Sequence, residues 1–206
     1  MRFYRKNSLI ILLSLTLVLG IAVVQNGVPN ASSFSDTARQ LILIDVSRGL
    51  SEDLGFGLLT EIMLNAGYKV EVVTKTDELF TRLSAASVLM LPPCRNHLSS
   101  LMQRAILDFV EKGGGLLIVG EVKYEGYAEL AKIFGITMLP GIVCDPYLST
   151  PTKPFHIKII SMRQHPVTEN IDAFTYDWGQ PLMVTSPAKS LATVSNGSWY
   201  ETDANG

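Results

Sequence analysis

The chain has 206 residues, 47% of them hydrophobic and 17% charged, enough for one full-sized core with a short appendage and too little for two large domains. A formal net charge of -2, with no local Lys/Arg cluster and no basic stripe interleaved with aromatics, lacks the positive surface that draws phosphate backbones. No nucleic-acid partner is expected.

In chain order, Arg2, Arg5 and Lys6 come first, followed by Leu9 to Val24, sixteen residues without a charge; the next charged residue is Asp36. Basic residues ahead of an apolar run mark a membrane-targeting segment, and uncharged flanks extend the run toward the ~20 residues of a spanning helix. Residues 1–26 are therefore expected to form an N-terminal transmembrane or signal helix that binds the membrane. The remainder of the chain would lie on the extracytoplasmic face, or be secreted if the segment is cleaved. Small residues are poorly placed for cleavage and no cysteine directly follows the apolar run for lipidation, which favours an uncleaved anchor. Residues 27–38 are mostly small and polar and read as a linker.

Residues 39–206 form the domain. Leu41-Ile42-Leu43-Ile44 is a continuous apolar run, the pattern of a parallel strand covered on both faces. Ser51 can cap a helix with Glu52 and Asp53 in its first turn; Leu54, Leu58, Leu59, Ile62 and Met63 share one face, and Gly67 ends it. Strand and helix then alternate: strands over Val70 to Val73, Ser87 to Leu91 and Leu116 to Val119, helices over Asp77 to Leu83, Ser99 to Glu111 and Tyr124 to Phe134. This cadence predicts an α/β class, a doubly wound, mostly parallel, flavodoxin-like sheet with helices on both faces. Past Ile136 the helical period fades, and Phe155 to Ile160, Pro181 to Ser186 and Leu191 to Val194 read as added or antiparallel strands. The last residues, Glu201 to Gly206, resemble the middle of a loop, the sign of a domain truncated at its C-terminus.

Ligands of such sheets bind beyond the carboxyl ends of the strands. The candidates there are Asp45 with Ser47 and Arg48, then Thr74, Cys94 and Glu121. Cys94 has His97 three residues on, the ingredients of a thiolate and imidazole pair but without a third group to orient the ring. There is no G-x-x-x-x-G-K-[ST] and no G-x-G-x-x-G after the first strand, so no nucleotide is expected. His97, His156 and His165 share no ligand spacing, so neither metal nor other cofactor is expected. Cys94 and Cys144 could pair in an oxidising compartment. Asn30-Ala31-Ser32 and Asn196-Gly197-Ser198 are glycosylation sequons.

Four segments together resemble the class I glutamine amidotransferase-like superfamily: Leu41 to Asp45, Asn65 to Val70, Ser87 to Pro92, and Gly113 to Gly120. His165-Pro166-Val167-Thr168 is similar to a short motif of its non-amidotransferase branches, which include DUF4350-type extracytoplasmic domains and auxiliary components of gliding-motility-type ABC transporters. The resemblance covers roughly Leu41 to Ile171 and adds His165 to the candidate binding crevice. True amidotransferases hold a cysteine in a G-x-C-x-G elbow after the strand matching Leu116 to Val119. Here that elbow reads Gly120-Glu121-Val122-Lys123-Tyr124, without the nucleophile. The resemblance thus implies a binding or scaffolding module without catalysis, with a protein partner such as a transporter component. The alternative is a hydrolase or sugar-processing enzyme with Glu121 and Asp45 as acid/base pair, which requires carboxylates about 5 to 9 Å apart. An inert spacer is the third reading.

Overall fold

The computed structural model describes residues 12–14, 40–48, 56–122, 124–150 and 152–202. Strands β1 (Leu12–Ser14), β2 (Leu41–Asp45), β3 (Lys69–Val73), β4 (Val88–Leu91) and β5 (Gly115–Gly120) pair in parallel in the order β1-β5-β4-β2-β3. Alternation along each strand sends successive side chains to opposite faces. Leu43, Leu89, Leu91, Leu116 and Ile118 therefore join one apolar cluster, and Ile42, Ile44, Met90, Leu117 and Val119 a second on the other side. Two dry faces explain why these strands are uninterrupted apolar runs.

Helix α1 (Phe56–Asn65) lays Leu59 and Met63 on the second cluster and ends at Gly67, where φ is 91° and the amides of Gly67 and Tyr68 reach the carbonyls of Leu64 and Met63. A left-handed residue at this point suits glycine, which has no Cβ to clash. The expected helix start at Ser51 lies outside the described residues. Helix α2 (Thr76–Arg82) runs into a 3₁₀ turn at Leu83–Ala85, and α3 (Ser100–Glu111) buries Met102, Ile106, Phe109 and Val110 in the first cluster. The Ser99 hydroxyl caps α3 by accepting from the Met102 amide at 3.3 Å. Helix α4 (Ala128–Ile133) is shorter than the expected Tyr124 to Phe134.

The second half contains β6 (Ile136–Met138), β7 (Ile142–Cys144), β8 (His156–Ile159), β9 (Ser161–Met162), β10 (Phe174–Asp177), β11 (Leu182–Val184), β12 (Ala192–Thr193) and β13 (Trp199–Glu201). They form four antiparallel pairs: β6 with β11, β7 with β13, β8 with β10, and β9 with β12. Val143, Ile157 and Ile159 are the centre of a third, smaller core beneath them.

The expectation of a doubly wound, mostly parallel sheet is corrected. The parallel sheet is small, and among the described residues its four parallel pairs are matched by four antiparallel ones in separate two-stranded units. The described helices are four, of which α4 has only six residues. Parallel neighbours are usually joined through a crossover helix, and among the described residues past α4 no helix lies between the short strands, which pair antiparallel. The N-terminal membrane helix is corrected where it is described, at residues 12–14; the rest of residues 1–26 lies outside the described residues. No described helix is long and apolar enough to cross a membrane, and Leu12–Ser14, inside the expected span, are a strand paired with Ile118–Gly120. An apolar segment laid along β5 satisfies backbone groups that would otherwise stand open at that edge.

Candidate functional site

Strands β2, β4 and β5 end side by side, and their carboxyl ends carry most of the polar candidates. Asp45 is the last residue of β2 and is 1% exposed. Its Oδ1 accepts from the Ser47 amide at 3.0 Å and the Ser47 hydroxyl at 2.6 Å. Its Oδ2 accepts from Arg48 Nε and Nη2, each at 3.3 Å. The Arg48 side chain is itself buried, so the two charges neutralise one another out of water. Such a pair contributes little net stability, yet removing either member strands a charge at a cost of about 3–5 kcal/mol. Ser47 Oγ also lies 3.3 Å from Thr76 Oγ1, joining this turn to the start of α2.

After β4, Pro92 and Pro93 stop the ladder and Cys94 turns inward, 2% exposed. Its thiol donates to the Asn96 carbonyl at 3.4 Å, and its carbonyl accepts from the Gly126 amide at 2.9 Å. Burial pushes the Cys94 thiol above the ordinary value, outweighing the neighbouring Tyr127 hydroxyl and the Arg48 charge, which act the other way. The Tyr127 phenol is pushed well up, by burial first and then by Cys94. Tyr127 is buried with its hydroxyl beside Cys94 but closes no hydrogen bond of standard geometry. Both groups are held in their neutral forms, and His97 is exposed while Cys94 is sealed. A thiolate and imidazole pair is not assembled.

The loop after β5 locks onto the loop after β4. Glu121 opens a tight turn in which its carbonyl accepts from the Tyr124 amide at 2.8 Å. The Arg95 guanidinium sits 5.3 Å from the centre of the Tyr124 ring, within cation–π reach. Gly126 must be glycine for this approach: a Cβ there would stand 2.5 Å from Cys94 Sγ and 2.7 Å from the carbonyls of Cys94 and Asn96.

Thus Asp45, Arg48 and Cys94 are brought within electrostatic reach of one another, with Ser47 half-buried and bonded to Asp45 and Glu121 half-buried in the adjoining loop. His165 does not join them. Its Nδ1 accepts from the Val167 amide at 3.2 Å and its carbonyl from the Thr168 amide at 2.9 Å, so it organises its own turn. Thr74 is exposed at the end of β3. Cys94 and Cys144, whose pairing the sequence leaves open, are both free and buried.

Sequence reasoning misses Tyr127 and Gly126 because the apolar spacing of Tyr124 to Phe134 reads as one helix; the glycine at 126, poor in a helix interior, is the available signal. It also misses Asp145, fully buried after β7. The Asp145 Oδ1 accepts from the amides of Tyr147 and Leu148 at 2.8 and 2.9 Å, and its Oδ2 from the Ser195 amide at 2.8 Å. Burial alone would raise this carboxyl, but the hydrogen bonds from Ser195, Leu148 and Tyr147 prevail and hold it below the ordinary range. Among the described residues, no group of three or more His, Cys, Asp or Glu is placed to hold a metal ion.

No family model matches the chain, and no curated protein matches it. Among solved structures it is similar to one titled "mmIFT52 N-terminal domain", with a TM-score of 0.65 and 16% sequence identity, covering 78% of this chain and 75% of that one. At that identity the likeness is one of fold.

Proposed function

We propose that this chain is a non-catalytic, amidotransferase-like binding module on the extracytoplasmic face of a membrane, holding a protein partner in a transport or envelope assembly. The observation that carries the reading is the state of the strand ends. Both oxygens of Asp45 are taken up by Ser47 and Arg48, and Cys94 is a buried neutral thiol. Groups spent on one another hold loops in place and leave neither a nucleophile nor a free Asp45 carboxylate for an acid/base pair with Glu121. The elbow sequence Gly120-Glu121-Val122-Lys123-Tyr124 supports the same reading, since it lacks the cysteine that the superfamily uses. Export is supported by the basic and then apolar order of residues 2–24, a signal read on the nascent chain before folding.

The test has two arms. The full chain, used as bait in solubilised membranes, should retain a stoichiometric protein partner, and the purified chain should release no ammonia from glutamine and no alcohol from simple esters. Turnover of either substrate that is abolished by Glu121→Gln overturns the proposal.

A further inference from the structure

Strand β3 is an edge: among the described residues its partner is β2 alone. The direction of its backbone groups is set by two contacts. The Lys69 amide donates to the Gln40 carbonyl at 3.2 Å, and the Val73 carbonyl accepts from the Val46 amide at 2.9 Å, so residues 69, 71 and 73 bond inward to β2. The N–H and C=O groups of Val70 and Val72 therefore point to the open side. The side chains alternate the other way. Val70 packs on the cluster under α1, whereas Val73 belongs to the opposite cluster and Glu71 pairs with Arg82 of α2. Tyr68, Val70 and Val72 thus share one face and Lys69 and Glu71 the other. On the first face Tyr68 is 42% and Val72 48% exposed, and α1 beside them leaves Leu58 and Ile62 exposed. An edge strand with apolar residues in water is a template for another strand.

Lysine on an edge commonly discourages pairing. Here the order of charges instead selects one partner. We infer that β3 pairs antiparallel with β3 of a second copy of this chain about a two-fold axis at Val70, continuing the sheet across a dimer. Only registers that set outward-facing residues opposite one another can form the ladder. Centring on Glu71 would place Glu71 against Glu71, and centring on Lys69 would place Lys69 against Lys69, like charges that destabilise a direct pair. Centring on Val70 places Lys69 opposite Glu71 twice, in the non-hydrogen-bonded positions where side chains are closest. The same register sets Tyr68 against Val72 twice, matching aromatic with β-branched side chains on the apolar face. Each Val70 exchanges both its backbone bonds with the other copy, and each Val72 amide meets a Tyr68 carbonyl. The Tyr68 amide is already bound to the Met63 carbonyl, so the ladder ends there.

The inference concerns self-association and stands apart from the partner of the proposed binding module. Sedimentation velocity of the full chain, in detergent throughout, should show a concentration-dependent dimer. Lys69→Glu sets Glu against Glu, and Glu71→Lys sets Lys against Lys, so each variant alone should raise the dissociation constant by about tenfold or more. Mixed in equal amounts, the two variants regain two Lys–Glu pairs and should restore the dimer as a heterodimer. Thermal melts near that of the wild type show that each variant folds, and Val72→Pro, which removes an outward amide from an edge strand, gives a second route to the monomer. A monomeric wild type overturns the inference, as does a dimer indifferent to the single reversals or a mixture that stays monomeric.

Discussion

Asp45 and Arg48 are buried charges three residues apart, and each is tolerated only because of the other. Arg48→Met should therefore destabilise by about 3–5 kcal/mol, whereas the double variant Asp45→Asn/Arg48→Met should recover most of the loss. A double-mutant cycle by urea unfolding measures the coupling, and additive single effects would show the pair to be independent. Asp145 gives a prediction in pH. Its carboxyl is lowered in the folded state, so its contribution is complete above the unfolded value of about 3.9 and is lost as pH falls through the lower folded value. Asp145→Asn should cost about 1.5–3 kcal/mol near neutral pH. The urea midpoints of wild type and variant should then converge as pH drops below the unfolded value of about 3.9, and a gap that stays constant contradicts the assignment. Asp45 is legible in the sequence because it ends an apolar run. Its occupation by Ser47 and Arg48 is not, since either could equally have faced solvent.

The two loops beyond β4 and β5 are held by contact between Cys94 and Gly126, and the prediction here is a contrast between two glycines. Gly126→Ala forces a methyl against a sulfur and two carbonyls and should destabilise by about 1–3 kcal/mol. Gly57→Ala, in the first turn of α1 with nothing within 4 Å among the described residues, should be neutral or stabilise by up to about 1 kcal/mol. Chemical denaturation of both variants decides the matter; equal effects would remove the special role of Gly126. Strands β2, β4 and β5 and helix α3 lie close to their sequence limits because apolar period and caps agree there, as with Ser99 and Gly113. Helix α4 is shorter than its sequence pattern for the opposite reason. Tyr124 and Tyr127 carry helical spacing, but they are drawn into contacts with Arg95 and Cys94 in a distant loop.

Across the molecule, three apolar clusters divide the chain: two on the faces of the parallel sheet and a third under the antiparallel pairs. The open edge at β3 is where this arrangement meets its surroundings, and the charge-reversal pair at Lys69 and Glu71 tests whether a second copy closes it. Local chemistry is enough to place most strands and helices, because an apolar run or a capped amphipathic stretch carries its own signal over a few residues. Strand pairing is different. Whether two short strands run parallel or antiparallel depends on the path between them, and so Ile136–Met138 and Leu182–Val184, far apart in the chain, could be joined only by the folded structure. The same holds for Leu12–Ser14 beside β5, and for the burial of Cys94 under Tyr127, where the fate of a polar group is set by residues remote in sequence.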